Sequence, residues 1–269
     1  MALVPFPSPQ SGALQLPAPD DEESPGGKMS FLEHLDELRK RIVNACIGIG
    51  VGVVIGFFFI EKIFNFLMTP ARHSLPAGST MIYTQPGEAF GLYITVSLIA
   101  GAVIASPFIM FQVWLFIAPG LYSNEKKFAV PFVLFSTLGF LGGAAFNHYL
   151  AFPFIMTFFA SFNSIDLKFM PKLDDVFGLY TKMLIGIGIV FQMPTVVYFL
   201  ATMGLVTARF LIKNTKFAIL LIFIVAAVIT PTADPVTQTI FAAPMLALYG
   251  VSIVVAWLVG PKRIKGAEA

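Results

Sequence analysis

Six long runs without a charged residue restrict this chain to a membrane fold. They occupy residues 42–60, 89–124, 128–165, 183–208, 217–229 and 240–259. A helix that crosses the hydrocarbon core of a bilayer needs about 20 mostly apolar residues. Only 12% of the chain is charged, whereas a soluble domain carries about 25% charged residues. We therefore predict an all-α, polytopic membrane protein with six transmembrane helices.

Prolines and run lengths predict that several of these helices are bent. A proline inside a helix removes a backbone donor and bends the helix unless it lies at an end. The fifth run has only 13 residues, about 20 Å of helix at 1.5 Å per residue. Bent helices of unequal length predict a curved, concave body. The prolines within or near the runs are Pro107, Pro131, Pro153, Pro194 and Pro244.

The distribution of Lys and Arg predicts the orientation of the chain in the membrane. Twelve of these residues fall on the side that carries both termini, and five fall on the other side. The positive-inside rule then predicts that both termini are cytoplasmic and that connections 61–88 and 166–182 face outward. Residues 1–28 are rich in proline and acidic, which predicts a disordered tail that a start at Met29 would remove. Residues 29–262 form the six-helix membrane domain in this prediction, and residues 263–269 form a short cytoplasmic tail.

Sequence motifs give no support for enzymatic, metal-binding or nucleic-acid-binding function. The chain lacks the phosphate-loop and H-E-x-x-H patterns, has a single cysteine and carries a net charge of only +2. We expect no enzyme activity, no cofactor and no bound metal. An alternative class is a small-solute secondary transporter, which would show internal repeats and charged residues at mid-membrane. The mid-span polar residues here are the neutral Gln112 and Gln192, for which we favour interhelical hydrogen bonds, and His148 receives no role.

Segment 30–41, SFLEHLDELRKR, is predicted to form an amphipathic helix at the membrane surface. Ser30 and Glu33 have the spacing of a capping box. Glu37 lies five residues before the first apolar run, and Glu125 lies in a short connection on the same side. Two such carboxylates could each bind a guanidinium through paired hydrogen bonds. The alternatives stay open: Glu37 pairs with Arg41 one turn later, and Glu125 is a solvated loop acid.

Gly48, Gly52 and Gly56 repeat at every fourth residue of the first run. Such a face of small residues permits close contact between helices. We favour a contact within the chain, and a contact between subunits is the alternative.

Five segments closely resemble the TatC family, the multi-spanning component of twin-arginine protein translocation, and the resemblance covers residues 29–262. The family implies six helices and a receptor for folded proteins that carry an N-terminal S/T-R-R-x-F-L-K signal. It also implies the single-span partners TatA and TatB, a homo-oligomeric receptor complex, the bacterial inner membrane and the proton-motive force as energy source. The segments are FLEHLDELRKR at 31–41, LPAGSTMIYTQPGEAF at 75–90, SPFIMFQVWLFIAPGLYSNEKK at 106–127, FQMPTVVYFLATMGLV at 191–206 and TPTADPVTQTIFAAPM at 230–245.

The resemblance also implies roles for particular residues. Glu37 and Glu125 match the acids that contact the paired arginines of the signal, and Asp234 matches the acid of the fifth connection. Gln192 stands where many relatives carry Glu, so this chain departs from the family there: a role that needs a charge is not expected, whereas a hydrogen-bonding role stays open. Three further residues match positions at or near the signal site: Arg39, Phe116 and Pro107.

Overall fold

The computed structural model describes residues 31–76, 79–117, 129–164, 168–230 and 234–260. These residues are mostly helical, with one isolated parallel bridge between Ile82 and Lys172. The predicted all-α class is confirmed for this part of the chain. The predicted tails at 1–28 and 263–269 and the capping residue Ser30 lie outside it.

The described residues contain eleven α-helices and one π-helical turn, joined by connections. The first half contains α1 Phe31–Phe58, α2 Ile60–His73, α3 Glu88–Ile104 and α4 Ser106–Ile117. The second half contains α5 Ala129–Phe146, the π-helical turn Asn147–Ala151, α6 Phe152–Ala160, α7 Leu173–Val190, α8 Met193–Thr202, α9 Ala208–Lys213, α10 Thr215–Ile229 and α11 Pro235–Val259.

Four continuous segments of the described chain are long and apolar enough to cross a membrane. They are Leu32–Phe58, Val130–Ala160, Leu173–Thr202 and Pro235–Val259. Helices α3 and α4, bent by 58° relative to each other, make a fifth if they count as one span. The remaining predicted span corresponds to α10, which has 15 residues, about 22 Å of helix. Among the described residues the structure thus supports four or five spans where the sequence predicted six.

Proline chemistry explains where these helices break. A proline ring clashes with the carbonyl four residues earlier and offers that carbonyl no N–H. Pro107 accordingly follows the break at Ala105, and Pro194 follows the break after Val190, its i−4 residue. Pro153 follows the π-helical turn, which widens the backbone around its own i−4 residue, Tyr149.

Much of the two connections predicted to face outward is helical. Helix α2 occupies the first half of connection 61–88, and α7 begins at Leu173, inside connection 166–182. The charges that ended the apolar runs lie on exposed faces of these helices: Lys62 is exposed, whereas Leu67 and Met68 on α2 are buried. An amphipathic helix carries charge on one face without losing its apolar face.

Helix α7 lies at the centre of the main hydrophobic core. It contributes Phe177, Met183 and Ile187, each at most 2% exposed, to a core shared with α2, α3, α6, α10 and α11. Helix α1 instead packs along α3 and α4, and much of its surface is exposed. The start of α1, where the sequence predicts a site, therefore lies outside the main core.

Candidate functional site

The described part of the candidate site lies where α1 crosses α4. Residues four apart on a helix share a face, and Arg41 donates from Nε to Oε1 of Glu37 at 2.7 Å. Its Nη2 donates to the same carboxylate oxygen. Its Nη1 donates to Oε1 of Gln112 on α4, at 3.4 Å. The pairing that the sequence left as an alternative for Glu37 is thus present, and Arg41 also links two helices.

An aromatic contact extends this crossing by one turn. The imidazole of His34 stacks on the ring of Phe116, with centroids 4.5 Å apart and planes inclined by 23°. His34 precedes Glu37 by three residues, so both lie on the same side of α1. His34 meets the end of α4 and Arg41 meets its middle, so the two helices run in opposite directions.

The same interface continues along the glycines of α1. A Cβ built on Gly48 would lie 2.5 Å from the ring of Phe108, and one on Gly52 would overlap the carbonyl oxygen of Gly101. A Cβ on Gly56 would lie 3.2 Å from that of Ala100. The glycine face therefore packs against α3 and α4 of its own chain.

Three aromatic residues pack α4 and α5, the helices that flank connection 118–128, against each other and against α8. Trp114 near the end of α4 lies 5.2 Å from Phe132 on α5 and 5.7 Å from Phe199 on α8, between ring centroids. Trp114 and Phe132 are 3% and 5% exposed, so this cluster is well packed. Glu125, the second predicted acid, belongs to that connection and lies outside the described residues.

The other predicted residues do not join this crossing. Arg39 is exposed and lies about 200° around α1 from Glu37. Pro107 is exposed near the first turn of α4, about 14 Å along the helix from Phe116. Asp234 caps α11, where its Oδ2 accepts a hydrogen bond from the backbone N–H of Thr237 at 2.7 Å.

Gln192 makes the interhelical hydrogen bond that the sequence favoured. It lies at the break between α7 and α8, and its Nε2 donates to the carbonyl oxygen of Ser136 on α5 at 2.9 Å. A backbone carbonyl inside an α-helix can accept such a second hydrogen bond because it has two lone pairs.

Sequence reasoning missed His34 and Glu88. The signal for His34 was its spacing: His34 and Arg41 are seven residues apart and share a face with Glu37. Glu88 lies inside a segment that carried the family resemblance. Two of its four partners, Thr84 and Gln85, are local, whereas Lys172 and Asp174 belong to a distant segment. Spacing alone could not reveal the contact with Asp174, 86 residues away.

The arrangement at the crossing is suited to binding a guanidinium at a carboxylate. The side chains of Glu37 and Arg41 are 18% and 19% exposed, so solvent and ligands still reach them. The two Arg41 nitrogens that contact Glu37, Nε and Nη2, both donate to Oε1. None of the described residues donates to Oε2. A carboxylate has about four lone-pair sites and can accept from a second guanidinium. The described residues contain no cluster of His, Cys, Asp and Glu that could hold a metal ion.

Comparisons with known proteins agree on one family. A family model described as TatC, Sec-independent protein translocase protein, matches residues 33–244. The Sec-independent protein translocase protein TatC of Koribacter versatilis is 43% identical over 245 residues, which are 90% of each chain. The protein of the same name from Desulforapulum autotrophicum is 42% identical over 93% of this chain and 90% of its own. A crystal structure titled Twin Arginine Translocase Receptor TatC superposes with a TM-score of 0.72 at 35% identity, over 84% of this chain and 99% of that one.

Proposed function

Because the chain belongs to the TatC family of Sec-independent protein translocase proteins, we propose that it is the subunit that binds twin-arginine signal peptides. The observation that carries this proposal is the partly exposed carboxylate of Glu37 near the start of α1, at the crossing where His34 stacks on Phe116 of α4. Glu125 is the second proposed carboxylate. Arg39 and Pro107 are proposed to act nearby rather than in the crossing itself.

Chemistry gives a reason for two carboxylates. The signal presents two adjacent guanidiniums, which are always protonated and offer planar, paired donors. A lysine offers a point charge without that fork, so a site built for paired hydrogen bonds discriminates against it. In this proposal Arg41 holds Glu37 in position in the empty receptor, and the first arginine of the signal binds at Oε2 or displaces Arg41.

The decisive experiment measures the affinity of a purified twin-arginine signal peptide for detergent-solubilised protein. Glu37→Gln and Glu125→Gln should each weaken binding by roughly tenfold or more, since a hydrogen bond to a charged group contributes about 1.5–3 kcal/mol. Asp36→Asn is the matched control, because Asp36 is an exposed acid on the same helix. It removes the same charge and should leave the affinity nearly unchanged.

Arg41→Ala separates the proposal from a purely structural ion pair. If Glu37 serves only to pair with Arg41, then Arg41→Ala should behave like Glu37→Gln, and neither should alter signal binding. If Glu37 binds the signal, Arg41→Ala should preserve binding and the preference for Arg-Arg over Lys-Lys peptides. Unchanged affinity and unchanged Arg preference in both carboxylate variants would overturn the two-carboxylate site.

The proposed partners are TatA and TatB, in a receptor complex that contains several copies of this chain. The proposed energy source is the proton-motive force, in a bacterial inner membrane. The family membership supports these proposals, since the relatives are protein translocase proteins by name. The domain limits at 29–262, the concave body and the six-span arrangement, with the short α10 as the fifth span, belong to the same proposal.

The proposed topology has both termini in the cytoplasm and can be tested with reporter fusions. Fusions after Lys127 and Lys213 should report the cytoplasm, and a fusion near Pro171 should report the outer side. The reason is the excess of twelve to five in basic residues between the two sides. An outer location for the fusion after Lys127 would remove Glu125 from the proposed site and overturn the orientation.

A further inference from the structure

A recess of about 410 Å³ lies between four helices, beside the last two turns of α3 and at the end of α5 that is far from the proposed signal site. Ile63 and Phe66 of α2 lie on one side of it, and Ala100 of α3 and Ala145 of α5 form its walls. Tyr180 of α7 closes the bottom and is 3% exposed. Small side chains at two of the walls leave this space open, in a region that the core packing does not fill.

The recess presents almost only carbon atoms to an occupant. Its two buried polar groups contact each other: Nδ1 of His148 lies 3.3 Å from the hydroxyl of Tyr180. The ring of Phe66 stacks on the imidazole of His148, with centroids 4.1 Å apart, and covers its face. The rim is formed by exposed apolar groups, including Ile104 and Tyr149, at 44% and 67% exposure. These residues lie in or beside the segments that are long and apolar enough to span a membrane, so a recess that opens between them would face the hydrocarbon phase.

Size and polarity select among possible occupants. Apolar cavities stay dry, so water is a poor occupant. A helix is about 10 Å across and rises about 5.4 Å per turn, so the recess holds only about one turn of a partner helix. Left empty, its walls would lose dispersion contacts on one side. An extended hydrocarbon chain is apolar, is narrower than a helix and would fill the recess with dispersion contacts. The volume also lies in the range of about 300–1,000 Å³ of ordinary ligand sites.

We propose that this recess is a specific lipid site, which holds one acyl chain of a membrane phospholipid between α3 and α5. The headgroup lies at the charged face of α2, where the exposed Lys62 precedes Phe66 by one turn and provides a cation for the phosphate. An amphipathic helix at the membrane surface is suited to contact headgroups with one face and acyl chains with the other. The bound chain replaces protein–protein packing between the first half of the chain and α5 and α7.

The test uses full-length protein in vesicles of phosphatidylethanolamine and phosphatidylglycerol that contain a phospholipid with a photoactivatable acyl chain. After irradiation, labelled positions are mapped by proteolysis and mass spectrometry. Labelling should be several-fold higher in segments 99–104 and 144–149 than in segment 134–141, which carries the exposed Leu134 and Leu138 on the same helix. Lys62→Gln should lower labelling by the anionic phospholipid more than labelling by the zwitterionic one.

Variants that fill the recess separate a specific site from ordinary lipid contact. Ala145→Phe should reduce labelling of both recess segments several-fold, whereas Leu138→Phe, exposed on α5 outside the recess, should leave it unchanged. Ala144→Leu is a milder filling variant and carries the test if Ala145→Phe does not accumulate in the membrane. Equal labelling of all three segments, or recess labelling that survives both filling variants, would show annular lipid contact only and overturn the proposal.

Discussion

Gln192 shows how one neutral side chain joins two helices where a charge would be expensive. A charged group at the centre of a membrane helix costs about 2.5–3.5 kcal/mol on insertion scales. The amide of Gln192 avoids that cost and still donates to the carbonyl of Ser136 at 2.9 Å. The polar link at this break therefore requires a donor but no charge.

Gln192→Leu should destabilise the protein slightly and weaken the contact between α5 and the break before α8. Hydrogen bonds of this kind contribute about 0.6 kcal/mol on average in membrane proteins. Gln192→Glu should be tolerated, because a carboxylic acid O–H can replace the amide donor. Thermal unfolding in detergent measures both, with Val196→Leu at an exposed position of α8 as the control. A Gln192→Leu variant as stable as this control would show that the bond contributes nothing.

The sequence predicted local features of these residues well and distant ones poorly. The pair of Glu37 and Arg41 could be anticipated because a helix brings residues four apart together. The amide bond of Gln192 could be anticipated because a buried polar group needs a partner. The stacking of His34 on Phe116 and the contact between Glu88 and Asp174 join segments far apart in the chain, and no local pattern encodes them.

At the scale of elements, prolines set the breaks and glycines set the closest approach. Both breaks lie before the proline rather than at it: α3 ends at Ile104, before Pro107, and α7 ends at Val190, four residues before Pro194. The four-residue glycine pattern predicted a close helix contact, but only the structure identifies α3 and α4 as the partners. The length of the fifth charge-free run located the short α10. The search for charge-free runs missed α2, because this helix carries charged residues on its exposed face.

Gly52→Ala should destabilise the packing of α1 on α3, since the added methyl group would overlap the backbone of Gly101. Backbone atoms cannot move aside as the end of a flexible side chain can, so overpacking of about 1–3 kcal/mol is expected. Gly50→Ala is the matched control, because a Cβ there meets nothing within 4 Å. Thermal unfolding should show a lower midpoint for Gly52→Ala and an unchanged or higher one for Gly50→Ala. Equal midpoints would contradict the close α1–α3 contact.

At the scale of the whole molecule, the two ends of the helices are held together in different ways. At the end with the candidate site, α1, α4, α5 and α8 meet through Arg41 and a cluster of aromatic rings. At the other end, two connections are tied by backbone hydrogen bonds: Leu173 N–H donates to Ile82 O at 2.8 Å, and Ile82 N–H donates to Pro171 O at 3.2 Å. These backbone hydrogen bonds join the first half of the chain directly to the start of α7, the most central helix.

The carboxylate of Glu88 adds further contacts between the same two connections, and its loss should loosen both of them together. Its Oε2 accepts from the N–H of Thr84 at 3.0 Å, and its Oε1 accepts from the N–H of Asp174 at 3.2 Å. Lys172 lies 3.7 Å from the same carboxylate, whose side chain is 5% exposed. Glu88→Gln keeps the shape but removes the charge and turns one acceptor into a donor that faces other donors.

Hydrogen exchange followed by mass spectrometry can measure this loosening directly. In Glu88→Gln, amides in segments 79–87 and 168–176 should exchange faster, because local opening exposes their hydrogen bonds. Glu61→Gln is the control, since Glu61 is an exposed acid on neighbouring helix α2. Exchange in α1 should stay unchanged in both variants, because none of these contacts involves α1. If protection at Ile82 and Leu173 is the same in Glu88→Gln as in the unmodified protein, the backbone hydrogen bonds between the two connections do not depend on the carboxylate of Glu88.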